Sequence, residues 1–193
     1  MESKGLSLDI SAKTFDRIDP TDLEARLDDE HFYVVDVRSE RDYAGGHVKN
    51  SQNHPWETFE DSGVREIRAF CRTLPRSAEV VLYCMNSQQR GPSCAMALMQ
   101  LLDDDGLDVP VHVLTGGMHK WFNAHVGKRS ESLIADLDVS AWKDVKEGGV
   151  GWVHQSELIV DDGGLDLSDG KMDDGEGEGG GRGGGGGSVP SGT

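Results

Sequence analysis

The stretch from Val80 to Leu102 constrains the fold of this chain more than any other. Val80, Val81, Leu82 and Tyr83 form an unbroken apolar and aromatic run that ends directly at Cys84. Such a run reads as a strand buried on both faces of a parallel sheet. Met85, Asn86, Ser87, Gln88 and Gln89 follow, then Arg90 and Gly91-Pro92, and then an apolar-rich helical run from Ser93 to Leu102. Pro92 suits a first helical turn, where a missing N–H leaves no bond unmade. The pattern therefore predicts a strand, a polar loop and a helix, with Cys84 at the carboxyl end of the strand. In open parallel sheets ligands bind at that end.

The chemistry expected of the loop follows from this placement. Successive backbone N–H groups closing on a helix N-terminus form an anion cradle. The planar guanidinium of Arg90 can fork two charge-assisted hydrogen bonds onto an oxyanion. The same positive field favours the thiolate of Cys84, which makes it a candidate nucleophile. Ser87 is expected to bond the thiolate through its hydroxyl or to assist its departure. The oxyanion-binding loop is thus read as Met85, Asn86, Ser87, Gln88, Gln89 and Arg90.

Cys84-x-x-Ser87-x-x-Arg90-Gly91-Pro92 resembles the phosphate-binding loop of cysteine phosphatases, in particular their rhodanese-fold branch. That branch contains the M-phase inducer phosphatases and the related eukaryotic arsenate reductases. Sulfurtransferases of the same fold typically carry a loop one residue shorter. The resemblance extends to Asp36-Val37-Arg38, Tyr43, Gly45-Gly46-His47-Val48 and the Thr115-Gly116-Gly117 that precedes an aromatic helix. It covers about Ser11 to Val126. Asp36, Arg38 and His47 are read as supporting residues: a strand-end ion pair that pins neighbouring loops, and a histidine that bonds backbone carbonyls in the Gly45-Gly46 turn. Asp36 is also a candidate for orienting the active loop.

The resemblance implies a phosphatase of phosphotyrosine or dual-specificity protein substrates, or an arsenate reductase drawing on glutathione as external reductant. It implies no other cofactor. Two departures stand out. Tyr83 occupies a place where this branch commonly has histidine. Met85 and Gln89 stand where the cell-cycle enzymes have glutamates, so no proton donor is visible within the loop. The alternatives are a sulfurtransferase carrying a persulfide on Cys84, and a non-catalytic binding module.

The remaining patterns predict an α/β fold with a parallel sheet covered by helices on both faces. Strands are expected at His31–Val35, Asn50–Asn53, Val80–Tyr83 and Val111–Leu114, with Phe15 to Pro20 an edge strand or turn. Thr21 and Glu24 have the spacing of a capping box. Trp56 to Leu74 reads as mostly helix, with Val64, Ile67, Phe70, Cys71 and Leu74 along one face. Cys71 and Cys94 read as small core residues. Met118 to His125 is expected as a short helix. Beyond Val126, residues 127–160 form an extension in which 132–137 and 139–145 read as short helices. There Leu133, Ile134, Leu137 and Trp142 dock on the domain. Residues 161–193 are rich in Gly, Asp and Glu and are expected to be disordered.

A formal charge of −16 argues against nucleic acid and anionic membranes as partners. Three cysteines at unrelated spacings fit the reducing cytoplasm or nucleus. No signal peptide, spanning segment or metal-ligand spacing is apparent. The expected partner is a phosphoprotein or a small oxyanion, and the sequence leaves the oligomeric state open.

Overall fold

The structure is a computed structural model and describes residues 14–60, 63–145 and 151–158. Its centre is a five-stranded parallel sheet in the order β1-β6-β5-β2-β4. The strands are β1 (Asp16–Ile18), β2 (Phe32–Asp36), β4 (Gln52–Asn53), β5 (Glu79–Tyr83) and β6 (Val111–Leu114). β5 is the middle strand, paired residue for residue with β2 from Phe32↔Glu79 to Asp36↔Tyr83. Its side chains alternate between two separate cores. Val80 and Leu82 join Ile67, Phe70, Leu98 and Leu102 on one face, while Val81 and Tyr83 join Leu23, Met118, Trp121 and Phe122 on the other. A period of two on a doubly buried strand gives this division.

Helices α3 (Val64–Thr73) and α4 (Arg90–Asp104) supply the first face, and α1 (Pro20–Glu24) and α5 (Gly117–His125) the second. Helix α2 (Glu40–Ala44) follows β2, and the short strand β3 (His47–Val48) comes after it. Among the described residues no helix is long and apolar enough to cross a membrane. The tail expected at 161–193 lies outside the described residues.

Several local expectations are corrected. Thr21 is inside α1 rather than capping it. Pro20 takes the first turn, Asp19 is the N-cap without a side-chain cap bond, and the Asp19 carboxylate instead meets Lys120 Nζ at 3.1 Å. A proline lacking its N–H is suited to that place, which moves the helix start forward. The helix expected over 56–74 is broken into a 3-10 turn at Trp56–Phe59 and α3. The fourth sheet strand shrinks to Gln52–Asn53.

The extension differs most from expectation. Residues Ile134–Ala135 form β7, antiparallel to β3. The short helices expected at 132–137 and 139–145 are reduced to 3-10 turns at Glu131–Leu133 and Val139–Ala141, and Trp142–Val145 (β8) instead pairs antiparallel with Gly151–His154 (β9). Asp138 turns the chain by accepting from the Ser140 amide at 2.9 Å. Trp142 then leaves that turn extended and stacks on Phe122 at 3.7 Å between ring centroids. Tertiary packing of a tryptophan thus overrides a weak helical pattern. Leu133, Ile134, Leu137 and Trp142 do meet the α5 face.

Candidate active site

The site is built at the carboxyl end of β5. Cys84 is the first residue after the strand and is buried, with its sulfur accepting the Ser87 N–H at 3.3 Å. Ser87 Oγ turns the other way and accepts the Cys84 N–H at 3.4 Å. The expected bond from the Ser87 hydroxyl to the sulfur is not the one found: the amide meets the sulfur, and the hydroxyl oxygen braces the backbone of the cysteine. Ser87 takes a left-handed φ of 52°. Left-handed backbone outside glycine is uncommon and clusters where a site over-determines it.

Residues 85–89 wrap from Cys84 to Arg90, the first residue of α4. The amides of Met85, Asn86, Gln88 and Gln89 donate to no carbonyl among the described residues. Arg90 is exposed on the rim, and its guanidinium makes no side-chain hydrogen bond among the described residues. The loop thus offers N–H groups, a helix N-terminus and a guanidinium at one cleft of about 470 Å³. An oxyanion bound there would stand beside the sulfur.

Three supports hold the loop from outside, and none of them stood out in the sequence as a site residue. Arg17 on β1 donates to the Ser87 carbonyl at 3.2 Å. The first turn of α5 donates Met118 N–H to the Cys84 carbonyl at 3.0 Å and His119 N–H to the Met85 carbonyl at 2.9 Å. Glu157, on the short helix α6 (Gln155–Leu158), accepts from the side-chain amide of Asn86. The glycine at the start of α5 fits this close approach. Gly117 has a φ of 55°, and a Cβ there would lie 2.3 Å from the Cys84 carbonyl. Gly117→Ala should therefore push the loop aside, destabilise the fold by about 1–3 kcal/mol and lower kcat by about two orders of magnitude. Urea unfolding and turnover of a phosphate ester check this. Unchanged turnover would show that α5 does not set the loop.

Asp36, Arg38 and His47 are brought together one layer away. The Arg38 guanidinium meets the Asp36 carboxylate at 2.6 and 3.0 Å and donates to the Gly46 carbonyl at 2.8 Å. Asn53 Nδ2 donates to the carbonyls of both Asp36 and Arg38. His47 stacks on Tyr43, and its Nδ1 lies 3.1 Å from the Tyr43 carbonyl, one turn earlier than the Gly45-Gly46 carbonyls expected. The Asp36 side chain spends its hydrogen bonds on Arg38 and none on the loop. Tyr83, also buried, points its hydroxyl at Val48 N–H (3.1 Å) and Ser51 Oγ (3.2 Å), tying β5 to β3 and to the segment after it. Burial raises the Tyr83 phenol well above its ordinary range, so it stays neutral.

Cys71 and Cys94 are free and buried. Burial, with Asp105 adding, pushes Cys71 up to about 11. Burial, with the neighbouring Cys84 adding, pushes Cys94 up to about 12. Neither carries a thiolate at neutral pH.

A family model described as Rhodanese-like domain matches residues 19–124. The chain is 36% identical over 142 residues to the CDC25-like phosphatase YCH1 of Saccharomyces cerevisiae, covering 65% of this chain and 93% of that protein. Among solved structures, Ygr203w, a yeast protein tyrosine phosphatase of the Rhodanese family, superposes with a TM-score of 0.58 at 30% identity, over 69% of this chain and all of that one. The As-Sb reductase from Leishmania major shares the fold, with a TM-score of 0.54 at 22% identity over 75% of this chain and 96% of that one.

Proposed function

This chain belongs to the rhodanese-like domain family, in the branch of the CDC25-like phosphatases, and from that premise we propose that it is a cysteine-dependent protein tyrosine or dual-specificity phosphatase. The observation that carries the proposal is Cys84 at the end of the central strand, joined to Arg90 at the head of α4 by a loop in which the amides of Met85, Asn86, Gln88 and Gln89 donate to no carbonyl among the described residues. In this reading the Cys84 thiolate attacks phosphorus in line. The loop amides and Arg90 hold the equatorial oxygens as charge develops on them. Water then hydrolyses the phosphocysteine. The substrate is a phosphoprotein or a small phosphate ester, met in the reducing cytoplasm or nucleus where all three cysteines stay free.

Sulfur transfer is the rival reading, and a binding module without catalysis is the other. The five residues between Cys84 and Arg90 match the loop length that the phosphatase resemblance implies, not the shorter loop typical of sulfurtransferases, and a module has no use for either residue. Parallel assays of the purified chain separate the three. Hydrolysis of p-nitrophenyl phosphate without thiosulfate–cyanide sulfur transfer is the expected pattern. The opposite pattern would make the chain a sulfurtransferase, and silence in both would favour the module.

Arsenate reduction is a second reading, favoured by the fold shared with the Leishmania reductase and by the state of the other thiols. With Cys71 and Cys94 held as buried thiols, the reductant comes from outside, and glutathione is the candidate. Val37 offers no thiol in the Asp36–Arg38 element either. Exposure to peroxide with glutathione present should therefore give a mixed disulfide at Cys84 as the main product, read by peptide mass spectrometry. A predominant Cys84–Cys94 or Cys84–Cys71 bridge would contradict this and make that cysteine the resolving thiol.

A further inference from the structure

The loop from Met85 to Gln89 contains no acid, yet two carboxylates from elsewhere line the cleft above Cys84: Asp42 on α2 and Glu157 on α6. Glu157 lies beyond the matched family region and reaches the site through the extension. Its position is set by a chain of contacts. Trp142 on β8 stacks against Phe122 of α5, and Asn123 of α5 clamps the backbone of Trp152 on β9 through bonds of 2.7 and 2.9 Å. Helix α6 leaves β9 directly, and the amide of Asn86, two residues after the cysteine, takes hold of Glu157 Oε1. Helix α5, which anchors the hairpin, also holds the Cys84 carbonyl. One helix thus fixes both the nucleophile's backbone and the hairpin that brings the carboxyl.

We propose that Glu157 is the proton donor and acceptor of the phosphatase reaction, an inference that rests on the phosphatase reading above. A carboxyl group can accept the Asn86 bond at one oxygen while carrying its proton on the other. As the S–P bond to Cys84 forms, the P–O bond to the leaving group breaks, and the departing oxygen takes the proton from Glu157. Water then attacks the phosphocysteine and gives a proton to the Glu157 carboxylate. The S–P bond breaks and its electron pair returns to Cys84 as thiolate, so the enzyme is regenerated and inorganic phosphate leaves. Arg90, Asp42 and Cys84 are the charged and titratable groups that share the cleft, and His154 on β9 stands close enough to feel the Glu157 charge. Asp42 is the rival donor. It faces His154, whose Nδ1 lies 3.9 Å from its carboxylate, and makes no bond to the cysteine loop.

The test uses kcat/KM, which reports the first phosphoryl transfer, on two esters that differ in their need for a proton. Phenyl phosphate releases a phenol that ionises only near pH 10, as a tyrosine does. 2,4-Dinitrophenyl phosphate releases an acidic phenol that departs unaided. In the full chain, Glu157→Gln should lower kcat/KM for phenyl phosphate by about 10²–10³-fold and leave the dinitrophenyl ester within a few-fold of wild type. Glu157→Asp should recover part of the loss on phenyl phosphate. An equal fall on both esters would reduce Glu157 to a structural prop and overturn the proposal. So would no fall on either, or the leaving-group signature appearing in Asp42→Asn instead. If the wild-type chain hydrolyses neither ester, the phosphatase reading itself fails, and the proposal falls with it.

Discussion

Replacing Cys84 by serine is expected to lower kcat/KM for p-nitrophenyl phosphate by about four orders of magnitude or more, with the fold and oxyanion binding kept. The exchange preserves volume to within one atom at a buried position, so packing changes little. Ser87 N–H can still donate to the new oxygen as it does to the sulfur. What disappears is the sulfur nucleophile, since a serine hydroxyl needs an adjacent base and the described hydrogen bonds around Cys84 supply none. The loop amides, Arg90 and the α4 N-terminus remain, so phosphate or vanadate should bind about as before. Circular dichroism, an oxyanion-binding titration and turnover together read this out. Turnover near the wild-type rate would mean that another group performs the attack.

The second large effect falls on stability. Asp36→Ala should destabilise the domain by about 3–5 kcal/mol, because it strands the Arg38 guanidinium with no opposite charge. Both side chains are 0% exposed, so solvent cannot take over the role of the carboxylate. Burial works against the Arg38 charge, and the Asp36 carboxylate beside it holds the guanidinium above its ordinary value. Arg38 also ties down the Gly46 carbonyl, and the Asp36 and Arg38 carbonyls hold Asn53. Loss of the pair therefore loosens the turn after α2 and the β4 edge together. A fall in the urea midpoint at unchanged slope measures the effect. Replacing both residues, as Asp36→Ala with Arg38→Met, should recover part of the loss, because the uncompensated charge carries most of it. A single-variant loss below about 1 kcal/mol would show that the pair contributes no more than an exposed one.

The parallel core was legible because its signals are local. Val80 to Tyr83 alternates between two cores as a doubly buried strand must, and β2 and β6 read the same way. The nucleophile and the oxyanion loop were legible for the same reason: Cys84, Ser87 and Arg90 are neighbours in sequence. What the sequence concealed depends on distant contacts. Trp142 extends as a strand because Phe122 offers it a stacking face, and a helical reading of 139–145 had no means of knowing that. Ser87 aims its amide, not its hydroxyl, at the sulfur from a left-handed backbone that composition does not announce. Arg17 and Glu157 reach the loop from 70 and 71 residues away in sequence, so neither belongs to any motif around the cysteine.

Trapping the covalent intermediate tests the central claim most directly. The purified chain, mixed with a phosphate ester and quenched in acid within the first turnover, should yield a peptide containing Cys84 with one phosphoryl group on sulfur. Cys71 and Cys94 should remain unmodified in the same digest. A Cys84 that stays free throughout turnover, or that accumulates a persulfide from thiosulfate while phosphate esters leave it untouched, would contradict the account.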